Sequence, residues 1–254
     1  MVSASISSSE TARTPLADGL ADLVRRIGAG GFVLLDAMAM RRLLGDDASL
    51  NAAAFAGSWN DLPLDEYMAD GGHYRRRRHA VFAAEAGALS RQPHQPHYQS
   101  LRDNPLNGGV ARWFAPVRDH IARGPILRSA IRVLTTIADR RRQATCRWRV
   151  EVHQFRIEAR AGEAGLPTPE GMHRDGVDFV LAMLVARRNV AHGVSAISDS
   201  DGTLLVRVRL AEPFDTMLLD DARVRHGVSP IEALDPARPA FRDVLVVTLT
   251  AARR

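Results

Sequence analysis

Beyond Cys146 the chain breaks into short, β-branched runs separated by turn residues, and this texture constrains the fold more than any other feature. The runs cover residues 147–158, 179–186, 203–210, 214–219 and 244–249. Asp201-Gly202, set between Ile197 and Leu204, is a hairpin signal. Short strands at near-regular spacing predict an antiparallel sandwich or jelly roll. Upstream, Pro15 and the series Leu16, Leu20, Leu23, Val24 and Ile27 fit one face of a helix, which the glycines at 28–31 end before a strand from Phe32 to Leu35. Helix, glycines, strand is the reverse of a dinucleotide-binding order. Residues 36–115 read as irregular, and 92–109 as an ordered loop. Leu127, Ile131, Leu134 and Ile137 mark a buried helical stripe ending near Arg142. The expected class is α+β with a mainly β core: a disordered tail over 1–14, then a single domain over 15–254. Within that domain, 15–145 is expected to be helical and loop-rich and 146–250 to form the jelly-roll core.

Composition removes several chemistries. All 34 basic residues are arginine, against 29 acids. Without lysine there is no Schiff base to pyridoxal phosphate, no P-loop lysine and no lysine nucleophile. A single cysteine, Cys146, rules out an internal disulfide and multi-cysteine zinc sites. The net charge of +5 invites a nucleic-acid reading, but the arginines are dispersed, and the one dense run, Arg75 to Arg78, is short for a phosphate-binding arm. Neither a nucleic-acid partner nor a membrane is expected. No apolar run reaches bilayer-spanning length and the N-terminus lacks a secretory pattern, so a cytoplasmic protein is expected. A homo-oligomer is as compatible with the sequence as a monomer.

The sharpest motif is Met172-His173-Arg174-Asp175-Gly176. Side chains at i and i+2 of an extended segment point to one side, so His173 and Asp175 can converge on one ion. His226, 51 residues beyond Asp175 in Val224-Arg225-His226-Gly227-Val228, supplies a third ligand if two distant strands lie side by side. Two histidines and one carboxylate on one face of an octahedral metal leave three positions open, the arrangement of oxygen-activating Fe(II) sites. A 2-oxo acid can chelate at two of these and dioxygen can take the third. The far carboxylate of 2-oxoglutarate then requires a fixed cation. Arg242, 16 residues after His226 at the entry to an apolar strand, fits that role because an arginine there is costly unless it meets an anion. Each piece has a plainer use: a chance triplet, a packed histidine, a surface pair of Arg242 with Asp243. Their order and context favour a metal site.

These segments resemble the bacterial 2-oxoglutarate/Fe(II) dioxygenases that hydroxylate free L-amino acids, of the isoleucine 4-hydroxylase type. The likeness lies in HQFRIEA (153–159), PEGMHRDGVDFV (169–180), LLDDARVRHGVSPI (218–231) and FRDVLVV (241–247), with an upstream echo in YRRRR (74–78) and NGGVARWFAP (107–116). The resemblance implies a double-stranded β-helix, iron at His173, Asp175 and His226, 2-oxoglutarate on Arg242, and hydroxylation of a small amino acid with release of succinate and CO2. One departure is Ala191-His192-Gly193-Val194-Ser195, which carries no acid where a Gly-Gly-Glu-Ser-like turn is expected.

Around this constellation, Gln154 and Arg156 share a strand face and are candidates to point at substrate, and Asp178 is a candidate partner for a substrate amine. Asp220 and Asp221 are candidates to orient the ligands, and 166–171 to form part of a lid. His94 and His97, between prolines, read as loop histidines, and His153 as one that packs or hydrogen-bonds beside the barrel. Two other readings stay open: a non-oxidative cupin-type isomerase or hydrolase using the same ligands with another metal, and the same oxygen chemistry on a biosynthetic intermediate.

Overall fold

The computed structural model describes residues 15–252, so the expected disordered tail lies outside the described residues. In chain order the elements are α1 (Pro15–Gly30), β1 (Phe32–Leu35), α2 (Ala37–Leu44), α3 (Asp47–Leu50), α4 (Ala52–Gly57), β2 (Arg75–Glu85), β3 (Ala88–Arg91), α5 (Asp119–Ala122), α6 (Pro125–Arg142), β4 (Trp148–Ala159), β5 (Phe179–Arg188), β6 (Val190–His192), β7 (Ser195–Asp199), β8 (Leu204–Val208), β9 (Thr216–Asp220), β10 (Val224–Val228), β11 (Ile231–Ala233) and β12 (Ala240–Ala251). Seven strands form one antiparallel sheet in the order β1-β9-β5-β12-β4-β2-β3. The strands β10-β7-β8 form a second sheet, and β11 with β6 a third. This is the jelly roll that the strand spacing predicted.

Period-two alternation gives the large sheet two unlike faces. On β4, Trp148, Val150 and Val152 turn outward and pack with Ile126, Leu127, Ile131, Leu134 and Ile137 of α6 in the main core. Helix α6 forms because Pro125 sits in its first turn, its apolar residues recur every three to four positions, and Arg140–Arg142 complement its C-terminal dipole. It stops where Gln143 adopts a left-handed conformation, φ 51°. The other face of β4 carries Arg149, Glu151, His153, Phe155 and Ile157 into the molecule's interior. The smaller sheet closes over that face through Ile197 and Val224, packed on Val180, Leu184, Met217 and Val244.

One expectation is corrected. Residues 36–115, expected to be irregular, contain the eleven-residue strand β2, which pairs with β4 along ten positions. Strand β2 was illegible because its inward residues, Arg75, Arg77 and His79, break the apolar alternation that marks a half-buried strand. The arginine run is thus part of the central sheet. Among the described residues, no helix is long and apolar enough to cross a membrane.

Candidate active site

The inner face of the large sheet and strand β10 border a cavity of about 420 Å³, within the range of small-molecule sites. His173 and His226 meet at its rim through an isolated antiparallel bridge in which each backbone N–H donates to the other's carbonyl at 2.9 Å. Directly opposed residues present side chains to the same face, and the two rings lie 4.5 Å apart. Asp175 completes the group: one carboxylate oxygen is 3.7 Å from His173 Nε2, the other 3.7 Å from His226 Nε2. One potential ligand atom from each of the three lies within 4.8 Å of the others, close enough to hold a metal ion. His173 Nδ1 donates to the Gly171 carbonyl at 3.0 Å. That bond leaves the lone pair of a neutral ring on Nε2, the atom facing Asp175.

Asp221 holds the loop that carries Asp175. Its buried carboxylate accepts the backbone N–H groups of Asp175, Gly176 and Val177 at 3.0, 2.9 and 3.1 Å. The expectation that Asp221 orients the ligand set agrees with this geometry, whereas Asp220 accepts no bond from the loop and its own N–H donates to Gly31. Burial, and then the charge of Asp175, push Asp221 up to about 6. Gly176 has φ +77°, and a Cβ there would lie 2.6 Å from Asp103 Cγ, so the turn after Asp175 accepts only glycine without displacement. Among the ligand-type groups themselves, burial pulls His226 down to about 4, aided by His173. His173 stands at about 9: burial acts to lower it, but the hydrogen bond and charge of Asp175 outweigh that.

Arg242 faces the same cavity from β12. Its Nε is buried with no hydrogen-bond partner. Burial, then the adjacent Arg187 charge on β5, lower Arg242 to about 10. Arg187 lies outside the cavity lining and donates to the Val190 and His192 carbonyls, which leaves Arg242 as the guanidinium facing the cavity, and a buried, unpartnered guanidinium is suited to an anion.

Three sequence-predicted residues fall elsewhere. Gln154 and Arg156 lie on the opposite face of β4, because the inward set is the odd-numbered one. Gln154 donates to Ser58 Oγ at 2.8 Å, and Arg156 makes a bidentate 2.7 Å pair with Asp243, directly across on β12. Asp178 accepts from Arg142 and from the Ala251 N–H, away from the cavity. The acid-free turn at 191–195 also lies outside the cavity lining. The loop 166–171 does border it, tied to β10 by Thr168 Oγ1, which accepts from Val228 N at 2.9 Å.

A polar wall was missed. Glu151 Oε2 accepts from His97 Nδ1 at 2.5 Å and from His79 Nε2 at 3.3 Å, and Arg149 donates to its other oxygen. His97 does lie on the loop between β3 and α5, but it is buried in this network. His79, His97, Glu151 and His153 also lie close enough together to hold a metal by distance. However, Arg77 Nη2 donates to His153 Nδ1 at 2.7 Å, which puts the neutral ring's hydrogen on Nε2 and removes that lone pair. The group is a hydrogen-bonded hub around Glu151. Arg77 is further clamped between the Phe114 and Phe155 rings at 3.7 and 4.4 Å. The signal that would have found this wall is the alternation of Arg75, Arg77 and His79 against Glu151, His153 and Phe155.

Comparison with known proteins gives this cavity a family. Residues 56–248 match the family described as 2OG-Fe dioxygenase. A solved structure of a bsmA homologue from Methylobium petroleophilum PM1 is similar at 37% identity and TM-score 0.83, over 92% of this chain and 94% of that one. The structure of IDO from Bacillus thuringiensis shares the fold at TM-score 0.76 and 18% identity, over 92% of this chain and all of that one (100%). The 3(1)-hydroxy-L-isoleucine 4-dioxygenase of Pantoea ananatis is 25% identical over 167 residues, 65% of this chain and 67% of that protein. With a match over most of its length and a jelly roll enclosing two histidines and an aspartate, the chain belongs to the 2OG-Fe dioxygenase family, enzymes that depend on Fe(II), 2-oxoglutarate and dioxygen.

Proposed function

We propose that the protein hydroxylates a small free L-amino acid or a close derivative, with iron held by His173, Asp175 and His226 and 2-oxoglutarate anchored on Arg242. The observation that carries this reading is the convergence of the three ligand-type side chains and an anion-seeking arginine on one small cavity. The Pantoea relative acts, by its name, on a hydroxylated isoleucine, which supports an amino-acid substrate. His173, Asp175 and His226 would hold the iron, which would supply the chemistry by which one dioxygen oxidatively decarboxylates 2-oxoglutarate to succinate and CO2 and hydroxylates the substrate.

The chain's own residues prepare the site. Gly171 and Asp221 fix the orientation of His173 and the Asp175 loop, so the ligands need little rearrangement. Arg242 orients the dicarboxylate by its distal end. Val244, Val246, Ala182 and Met217 supply apolar walls that keep stray water from the reacting carbon. Loop 166–171 borders the cavity and is placed to act as part of a lid.

The test is aerobic incubation with Fe(II), ascorbate, 2-oxoglutarate and pooled L-amino acids, followed by mass spectrometry. An amino acid that gains one oxygen atom, alongside succinate, and is lost in His173→Ala, is the expected result. Succinate without any oxygenated amino acid would move the substrate to another class.

A further inference from the structure

The cavity holds charges that neither the metal group nor Arg242 uses. Arg75 and Arg112 line it, both buried, and Arg75 Nη2 and Arg112 Nε have no hydrogen-bond partner. Arg75 Nε donates to Asp65 at 2.7 Å, but Asp65 also lies 3.6 Å from Arg77, so one carboxylate serves two guanidinium groups. Among the described residues, Arg112 has no acid within salt-bridge distance, and Gln99 Oε1 is its side-chain partner, at 2.8 Å. Arg112 is lowered by burial and then by the charge of Arg75, with Asp65, Glu170 and Glu151 offsetting this from beyond salt-bridge distance, so the two arginines are near neighbours that share distant acids. A buried, under-neutralised arginine pair calls for an anion from outside the protein.

A carboxylate stands at the metal side of the same cavity. Glu170 is 91% buried by side chain, and its Oε1 is 3.6 Å from His173 Nε2. Its Oε2 is buried with no partner. A carboxylate acceptor beside the reactive position calls for a cationic donor, as the arginine pair calls for an anion.

We propose, resting on the oxygenase reading above, that Glu170 and the Arg75–Arg112 pair form a zwitterion clamp: Glu170 receives the substrate's ammonium group and the arginines its carboxylate. The strand register keeps the two anion sites apart. Arg242 on β12 and Arg75 on β2 both lie opposite Ile157 of β4, in one row and facing the same cavity. With strands about 4.8 Å apart, their backbones are about 10 Å from each other. Arg242 takes the co-substrate and Arg75 with Arg112 takes the substrate, with the side chain to be oxidised pointing at the metal group. The clamp selects a free amino acid over a peptide-linked or carrier-bound one.

The test uses the full-length enzyme with Fe(II) and 2-oxoglutarate. The probes are the twenty proteinogenic L-amino acids, each singly, and the N-acetyl and carboxamide forms of those that raise succinate formation. The expected result is that each blocked form loses about 10- to 100-fold in kcat/KM, the worth of one charge-assisted contact. Glu170→Gln should narrow the gap between free and N-acetyl forms only, and Arg112→Gln the gap between free and carboxamide forms only. Global misfolding would not produce that crossed pattern, and the blocked probes test the unmodified enzyme should a variant fail to fold. Equal turnover of free and blocked forms overturns the clamp and leaves the oxygenase reading standing. Succinate that no amino acid stimulates also overturns it, as does an Arg112→Gln effect confined to the KM for 2-oxoglutarate. No 2-oxoglutarate consumption under any loading overturns the underlying reading itself.

Discussion

Arg242 and Gly176 each rely on a property particular to their residue type. Arg242 lines the cavity with an unpartnered, buried Nε and a second guanidinium beside it, and on the proposed assignment removing it deletes the dicarboxylate's counter-charge. Truncating one member of a buried charge pair costs about 2–5 kcal/mol. Arg242→Ala should therefore raise the KM for 2-oxoglutarate by at least about tenfold in steady-state assays. An unchanged value would assign the co-substrate to another cation. Gly176 combines positive φ with a contact that leaves no space for a methyl group. Gly176→Ala should displace the Asp175 loop from Asp221, at a strain of about 1–3 kcal/mol. Its readout is weaker Fe(II) retention on dialysis, with the circular dichroism spectrum preserved.

At the scale of elements, β2 and β4 build the polar wall and give it a pH dependence. Burial, partly offset by Glu151, lowers His79 from 6.5 to about 4, and His97 shifts the same way. Below pH 6.5 the unfolded chain takes up protons at these histidines that the folded chain refuses. Stability should thus fall as pH drops from 6.5 towards 4, and Glu151, held well below the usual carboxylate range by its histidine partners against the effect of burial, adds a loss of the same sign at the acid end. Thermal denaturation followed by circular dichroism should show a falling Tm over this window, and a smaller fall in His79→Gln. The same two strands show where sequence reading succeeds and fails. Strand β4 was legible from its apolar alternation, as were α1, α6 and the β7–β8 hairpin. Strand β2 was not, since arginine and histidine facing inward look like solvent-facing residues until a partner strand is known. Gln154 and Arg156 were assigned to the wrong side because a strand's period fixes which residues share a face but leaves open which face is inside. His173, Asp175 and His226 were legible because their spacing has a chemical meaning of its own. Glu170 and Arg112 have none until the fold brings them together.

For the whole molecule, the proposed metal ligands join two distant parts of the chain: the loop before β5 and the β10 strand of the smaller sheet. An ion there binds only the folded chain, and a ligand at 100 times its Kd adds about 2.7 kcal/mol of stability. Mn(II), a redox-quiet stand-in for Fe(II), should raise the Tm of the wild-type protein and leave that of His226→Ala unmoved. Differential scanning calorimetry under nitrogen would record both. Equal shifts in the two proteins would place the stabilising ion elsewhere.

The shared row of Arg242, Ile157 and Arg75 has one more consequence. On the proposed assignment, the gap between the two anchors is set by backbone hydrogen bonding between strands and not by loops. The sheet is a ruler graduated in strand spacings. With the anchors so assigned, changes to loop 166–171 or to apolar side chains alter which carbon meets the metal, while the span from the co-substrate's anchor to the substrate's stays fixed. New substrates for such a scaffold are therefore expected to keep their carboxylate at one distance from the co-substrate and to differ in the side chain that reaches the metal.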